Sequence, residues 1–175
     1  RRHLNQNPRL RAVLDIAARR AEWGKTQPPG RGLGVALVHA WNSYAALVID
    51  LSVDKDGRVT LHRLTSAVDC GTVINPDICI AQMESGHVFG LTAVMYGTLT
   101  IDRGRVVQSN FHDYQMLRIN EAPPMEVHLV QGSGDPGGMG EIGTALVAPA
   151  FVNALHAATG KRFRTYPVPP ERLKS

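Results

Sequence analysis

Three strand-like segments follow one another in the first half of the chain. They cover residues 33–39, 44–53 and 58–68 and are rich in aliphatic and β-branched residues. The residues Asp-Lys-Asp-Gly at 54–57 separate the last two segments and form a typical hairpin turn. Alternation around this turn places three residues toward an apolar interior: Val59, Leu61 and Leu64. The pattern predicts an antiparallel meander.

A long apolar segment follows the meander. Residues 77–96 are apolar on nearly every side and come after Asn75-Pro76, which predicts a helix that is buried all round. A short hairpin is predicted next, with strands at 97–101 and 106–111 and its turn at 102–104.

The last part of the chain has one more strand-like run, at residues 126–131, and a helical pattern at 146–160. Pro149 lies early in that pattern and Gly160 ends it, as helix start and stop signals do. The whole chain therefore predicts an α+β fold, in which a mixed, mainly antiparallel sheet packs with a buried central helix and a C-terminal helix.

Residues 1–30 are predicted to form an N-terminal helix and connector, separate from a domain at residues 31–175. Apolar residues recur at helical spacing, and Pro28-Pro29-Gly30 ends the segment. Basic residues surround this stripe: Arg1, Arg2, Arg9, Arg11, Arg19 and Arg20. Such a cluster can bind nucleic acid, but no recognised binding motif accompanies it, so we interpret it as a solvated helix face.

Composition narrows the function classes. The chain has 175 residues, of which 43% are hydrophobic and 19% charged, as in a soluble globular protein. No run approaches the roughly 18 apolar residues that a membrane span needs, so we expect no span. Cys70 and Cys79 could form one disulfide, which their spacing does not decide. Seven scattered histidines contain no His-x-x-x-His pair, so we expect no protein-ligated metal.

A glycine-rich stretch at residues 134–143 displays one carboxylate, Glu141, where a large ligand can approach it. A displayed carboxylate can act as a base; the alternative is a mobile surface loop in which Glu141 has no role. Residues 132–137 also satisfy the G-x-G-x-x-G pattern of dinucleotide folds. We treat that match as accidental, because the predicted helix begins well after the third glycine and no acidic residue follows about twenty positions on.

Gln82, Gly86 and Gly90 share one face of the helix predicted at 77–96. The two glycines allow another backbone to approach closely, and Gln82 could hydrogen-bond whatever lies opposite. The alternative is that Gln82 is satisfied by a loop carbonyl, and these residues alone leave both interpretations open.

Four motifs in order carry a resemblance to a known family. They are Val-Asp-Cys-Gly-Thr-Val-Ile-Asn-Pro at 68–76, Ala-Gln-Met-Glu-Ser-Gly at 81–86, Ser-Asn-Phe-His-Asp-Tyr at 109–114 and Gly-Met-Gly-Glu at 138–141. The chain resembles the C-terminal part of the molybdopterin-binding large subunit of the xanthine dehydrogenase and aldehyde oxidase family, from about Gly32 to its end. The branch it resembles most is the β subunit of bacterial isoquinoline 1-oxidoreductase.

The resemblance implies a molybdenum enzyme that oxidises an aldehyde or N-heteroaromatic carbon with water as oxygen source. Its cofactor would be molybdopterin cytosine dinucleotide, with no protein atom bound to the molybdenum. Glu141 would be the general base, Gln82 would contact the pterin, and Gly138, Met139 and Gly140 would lie against the molybdenum centre. Electrons would pass to a small subunit with two [2Fe-2S] clusters, with a cytochrome c as one candidate acceptor. His112 and Asp113 match a family motif that we interpret as a structural turn.

One difference from the family concerns length. The family subunit is several hundred residues longer, so we expect this chain to hold part of the site and to need the remainder of the large subunit. The chain is then an excised segment, a natural fragment or one piece of a split subunit, inactive and without molybdopterin when isolated. Two other functions stay open: a non-catalytic ligand-binding or assembly domain, and a basic nucleic-acid-binding domain. The substrate and the compartment, periplasmic or cytoplasmic, are not determined.

Overall fold

The computed structural model describes residues 2–174, and the side chains from residue 3 onward, so Arg1 and Ser175 lie outside the described residues. A 3-10 turn at Arg2–Leu4 precedes eleven elements. These are α1 (Pro8–Arg20), β1 (Arg31–Ala40), β2 (Ser43–Val53), β3 (Val59–Asp69), α2 (Pro76–Met95), β4 (Ile101–Asp102), β5 (Arg105–Val106), β6 (Met125–Leu129), α3 (Ile142–Ala145), α4 (Val147–Thr159) and α5 (Pro170–Leu173).

The main sheet has the strand order β1-β2-β3-β6. The first three strands are antiparallel, which confirms the predicted meander, and β6 pairs with β3 in parallel. The predicted α+β class is therefore confirmed. A parallel pair needs a crossover, and here residues 70–124, with α2, form it.

A β-bulge reconciles the side-chain pattern of β3 with the sheet. Asp50 of β2 pairs with Arg63, whereas the next residue, Leu51, pairs with Leu61, so His62 is the extra residue. Because one inserted residue reverses the alternation, Leu61 before the bulge and Leu64 after it both pack toward the same core.

Helices cover the two faces of the sheet. On one face, α4 packs so closely on β1 that a Cβ at Gly34 would overlap the backbone of Ala150 and Ala154. On the other face, Val13 and Ala17 of α1 pack against small residues of β2 and β3 in a second core cluster. The central strand β2 is therefore buried on both faces over most of its length. The division of the chain at residue 30 stays a prediction, as does the absence of nucleic-acid binding.

Helix α2 was predicted to be buried all round, and this prediction is wrong for one face. Asn75 caps the helix by accepting a hydrogen bond from the Ile78 backbone N–H, as the sequence suggests. The side chains of Ile78 and Phe89 are 65% and 60% exposed, while Met83 and Leu91 on the opposite face are fully buried. Among residues 2–174, no element covers the outer face of α2, so uniform apolar composition did not predict burial.

The short hairpin of β4 and β5 forms as predicted, with fewer paired residues. Arg103 and Gly104 connect the strands with φ of 47° and 79°, the arrangement of a type I′ turn. The stretch Ile142–Thr159, with mean hydropathy 1.3, is long and apolar enough to cross a membrane by length and composition alone. Burial of α4 against the sheet accounts for that composition, and the absence of a membrane span stays a prediction.

Candidate active site at the glycine-rich loop

The glycine-rich loop lies across one end of the main sheet, where β3 and β6 end and β1 turns into β2. Three hydrogen bonds hold it there. The Gly137 N–H donates to the Cys70 carbonyl (2.8 Å), the Gly138 N–H donates to the Trp41 carbonyl (2.8 Å), and the Thr72 hydroxyl donates to the Gly134 carbonyl (2.6 Å). The loop that sequence alone could assign to the surface is therefore attached to the sheet along its length.

Two glycines permit this attachment. Gly71, just after β3, has φ of +73° and lies so close to the loop that a Cβ would overlap the Asp135 carbonyl. A Cβ on Gly137 would lie 2.7 Å from the Asn42 carbonyl oxygen. Backbone contacts at this end of the sheet thus leave no room for side chains.

A buried ion pair supports the start of the loop. The Arg9 guanidinium donates two hydrogen bonds to Asp69, Nε to Oδ2 (2.8 Å) and Nη2 to Oδ1 (2.7 Å). Asp69 also accepts from the Gly71 N–H (3.0 Å). The hydrogen bond with Arg9 lowers the pKa of Asp69, and the bond from Gly71 lowers it further, against the effect of burial. Arg9 in turn lies over the ring of Tyr44, 4.3 Å from its centroid.

Glu141 lies at the far end of the loop, as the residue before α3. Its backbone carbonyl accepts from the Thr144 N–H (3.0 Å), which starts the short helix. The side chain is exposed and makes no hydrogen bond or ion pair with residues 2–174. Glu141 is therefore a carboxylate without a structural partner in that range.

Gln82 of α2 contacts the loop directly. Its side-chain Nε2 donates to the Gly140 carbonyl at 2.6 Å. Of the two interpretations of Gln82, the structure shows the bond to a loop carbonyl, and the pterin contact stays a prediction. The close approach expected at Gly86 and Gly90 is confirmed, since a Cβ at Gly90 would lie 2.6 Å from the Cβ of Val147.

His87 is a second α2 residue that contacts the segment after Glu141. Its side chain is fully buried, and its Nδ1 lies 3.1 Å from the Gly143 carbonyl oxygen. Burial lowers the pKa of His87 to about 4, only partly offset by the Gly143 carbonyl, so the imidazole is neutral near pH 7. Sequence analysis did not select His87, because a histidine on an apolar helix carries no pattern of its own.

Gln82, Glu141 and Gly140 line a common cleft of about 490 Å³ between α2 and the loop. Two aromatic residues, Trp41 and Phe89, form its walls and are 55% and 60% exposed. Sequence analysis missed both. A usable signal was present at Trp41, which occupies the two-residue turn between β1 and β2.

Trp41 has φ of +52°, in the left-handed region that large side chains rarely adopt. Asn42 beside it has φ of +60°, so the pair forms a type I′ turn, in which Asn and Gly are the usual residues. Backbone strain of this kind often accompanies a functional position, and here it places an exposed indole beside Glu141.

The other predicted cofactor residues lie farther from the cleft. Gly138 is hydrogen-bonded to the turn at Trp41, and Met139 is half-buried against the main core. Neither is among the residues that line the cleft, so their contact with a cofactor stays a prediction.

The remaining candidates have structural surroundings. Asp113 accepts hydrogen bonds from the backbone N–H groups of Ser109 (2.8 Å) and Asn110 (2.9 Å), as expected of a turn. These bonds, that from Asn110 first, lower the pKa of Asp113 to about 2. Cys70 and Cys79 are free thiols, and burial raises the pKa of Cys70. Residues 2–174 contain no group of three or more His, Cys, Asp or Glu that could hold a metal ion.

Comparisons with known proteins agree with the motifs. Residues 38–123 match the family described as the molybdopterin cofactor-binding domain. Isoquinoline 1-oxidoreductase subunit beta of Brevundimonas diminuta is 34% identical over 172 residues, which are 96% of this chain and 22% of that protein. The membrane-bound aldehyde dehydrogenase [pyrroloquinoline-quinone] of Gluconacetobacter polyoxogenes is 35% identical over 168 residues, which are 93% of this chain and 22% of that protein.

Solved structures show the same fold. Quinoline 2-oxidoreductase from Pseudomonas putida 86 superposes with a TM-score of 0.68 at 22% identity, covering 75% of this chain and 18% of that one. A Cu,Mo-CO dehydrogenase gives 0.62 at 25% identity, covering 67% of this chain and 16% of that one. The chain spans about a fifth of the length of the curated relatives it matches. It belongs to the family of molybdopterin-binding subunits of the xanthine dehydrogenase and aldehyde oxidase type, of which it represents a part.

Proposed function

We propose that this chain is the part of a molybdenum hydroxylase that supplies the general base, Glu141. The complete enzyme oxidises an aldehyde or N-heteroaromatic carbon, takes the new oxygen from water and passes electrons to an iron-sulfur partner. The observation that carries the proposal is the cleft, in which a carboxylate without a partner lies beside a loop backbone and an α2 carboxamide. The names of the relatives, an isoquinoline oxidoreductase and an aldehyde dehydrogenase, support the substrate classes.

The residues fit a molybdopterin cofactor. A Cβ at Gly140 would meet no atom within 4 Å, so the loop backbone is open on the side where a large group would lie. The cleft of about 490 Å³ is within the range of ligand sites, and one of its walls extends to the exposed face of α2. When bound, the cofactor supplies the two-electron redox chemistry, which side chains do not provide.

Glu141 supplies what a general base needs. A base must carry an unprotonated group within reach of the proton it accepts, and it must not be occupied by another partner. The Glu141 carboxylate has no hydrogen bond or ion pair with residues 2–174, whereas the bond from Gln82 to Gly140 holds the backbone just before it. The proton of the attacking oxygen is thereby taken up by a carboxylate whose main chain is held in place.

Trp41 and Phe89 provide apolar aromatic walls on the same cleft. Exposed aromatic rings gain free energy by packing on flat apolar surfaces, which suits a planar ring of substrate or cofactor. The other calls extend the proposal to molybdopterin cytosine dinucleotide, to contacts of Gln82, Gly138, Met139 and Gly140 with it, and to residues 31–175 as the binding domain. The partners are the remainder of the large subunit, a small subunit with two [2Fe-2S] clusters and a cytochrome c acceptor.

Isotope labelling of the complete enzyme tests the reaction. In ¹⁸O-labelled water with a heteroaromatic substrate, the product should gain one labelled oxygen, and the purified enzyme should contain stoichiometric molybdenum. Product formation without label, or a purified complex without molybdenum, would contradict the proposal and favour a non-catalytic ligand-binding or assembly domain.

Metal analysis of the isolated chain tests its dependence on the rest of the subunit. Because the cleft is open to one side, residues 1–175 alone should retain no molybdenum and turn over no substrate. Stoichiometric molybdenum in the isolated chain would show that it holds the cofactor by itself.

A further inference from the structure

The protonation of His87 follows from its single hydrogen bond. Nδ1 lies 3.1 Å from the carbonyl oxygen of Gly143, and a carbonyl oxygen can only accept. Nδ1 therefore carries the proton, and Nε2 is the bare nitrogen of the neutral ring. This nitrogen is buried and has no hydrogen-bond partner among residues 2–174.

Stability alone does not account for an imidazole at this position. A buried acceptor without a partner costs folding free energy, and an aliphatic side chain of similar volume would avoid that cost. What an aliphatic side chain could not provide is the donor for the Gly143 carbonyl. The contribution specific to His87 is thus a hydrogen bond to the backbone two residues after Glu141.

Helix α2 holds the chain on both sides of Glu141. Before it, the Gln82 carboxamide donates to the Gly140 carbonyl. After it, His87 donates to the Gly143 carbonyl, and the Thr144 hydroxyl donates to the Gly86 carbonyl at 3.1 Å. Peptide planes held on both sides restrict φ and ψ of Glu141, and with them the direction in which its carboxylate extends into the cleft.

We propose that His87 is a positioning residue for Glu141, acting through its hydrogen bond to the Gly143 carbonyl. The inference rests on the proposed role of Glu141 as general base. His87 itself does not face the cleft, so it contacts neither substrate nor cofactor. Its contribution is to keep the carboxylate in the orientation that proton transfer requires, since small displacements of a reacting group cost rate.

Two substitutions separate the hydrogen bond from packing. His87→Asn retains an N–H donor at the position of Nδ1, whereas His87→Leu retains volume and removes the donor. Leu91→Ala is the matched control, because Leu91 is fully buried on the same helix and makes no hydrogen bond with the segment around Glu141. It reports how much a general loosening of α2 affects that segment.

Hydrogen–deuterium exchange of the complete enzyme is the first measurement. The amides of Thr144 and Ala145 bond to the Glu141 carbonyl at 3.0 and 3.3 Å and report on its backbone. In His87→Leu their exchange should accelerate about tenfold, the size expected for one lost hydrogen bond, with a thermal midpoint equal to or above that of the wild type. His87→Asn should exchange nearly as the wild type does. Unchanged exchange in His87→Leu would overturn the proposal.

Steady-state rates per molybdenum are the second measurement. His87→Leu should lower kcat about tenfold with little change in KM, and His87→Asn should recover most of the loss. Equal rates in all three enzymes, with Glu141→Gln inactive, would overturn the positioning role and leave the proposed function intact. If Glu141→Gln is fully active, the proposed function fails, and the exchange measurement still decides whether His87 holds this segment.

Discussion

The two halves of the glycine-rich loop are built differently. The first half, residues 132–137, lies on the end of the sheet, where Cβ atoms at Gly71 and Gly137 would overlap backbone. The second half, residues 138–144, is held by α2 and borders the cleft, and a Cβ at Gly140 would meet nothing within 4 Å. Glycine serves close packing in one half and openness to a ligand in the other.

The carboxylates near the two halves show the same contrast. Asp69 is buried, accepts two hydrogen bonds from Arg9 and supports the first half. Glu141 is exposed and without a partner among residues 2–174. Two acids near one loop thus have different roles because only one of them is already engaged, and the following predictions test that difference.

The largest expected effect is on Glu141. Replacing it with Gln keeps size and most hydrogen bonding but removes basicity, so the complete enzyme should keep its molybdenum and lose a factor of about 10²–10⁴ in kcat. Asp135→Asn in the first half is the control and should cost little, because Asp135 is a turn residue. Rates normalised to molybdenum content measure both, and a Glu141→Gln enzyme within a few-fold of wild type would remove Glu141 from the mechanism.

Acid should loosen the second half before the first. The pKa of His87 is about 4 in the folded chain against 6.5 ordinarily, so the unfolded chain binds a proton that the folded chain does not. Stability should therefore fall by up to about 3 kcal/mol as the pH drops from 6.5 to 4. The pKa of Asp69 is lowered, so its contribution persists above pH 3.8 and is lost only as the pH falls further.

Urea unfolding of the chain at pH 7 and pH 4.5 measures this loss, and hydrogen exchange locates it. His87→Leu should remove most of the dependence between pH 6.5 and 4. If the variant loses as much stability as the wild type, His87 is not the responsible group.

Alanine substitutions should distinguish the two kinds of glycine. Gly137→Ala places a Cβ 2.7 Å from the Asn42 carbonyl oxygen and should cost about 1–3 kcal/mol of unfolding free energy. Gly140→Ala meets open space and should stay within about 0.5 kcal/mol. Chemical denaturation compares the two, and equal losses would mean that the halves do not differ in packing.

The smallest effect concerns Gln82. Gln82→Ala removes the donor to the Gly140 carbonyl, worth about 1 kcal/mol, so molybdenum occupancy of the complete enzyme should fall several-fold. Ser85→Ala is a matched control, because Ser85 lines the same cleft and makes no hydrogen bond with the loop. Equal molybdenum content in the two variants would separate Gln82 from cofactor binding.

Local patterns determined the elements of this chain. Alternation and the turn at 54–57 predict the meander, and proline and glycine at the ends of an apolar pattern predict α4. Such signals are local because the periods of strands and helices repeat within a few residues. Glu141 was found in the same way, as a lone acid among glycines, and the four ordered motifs indicated the family.

Only the tertiary structure decided which distant residues meet. The parallel pairing of β6 with β3, the ion pair of Arg9 with Asp69 and the bond of His87 to Gly143 each join segments more than fifty residues apart in sequence. Neither spacing nor periodicity encodes such contacts, because they depend on how packed elements cross. For the same reason, an apolar pattern on α2 predicted a helix but not its exposed face, where Phe89 borders the cleft with Glu141.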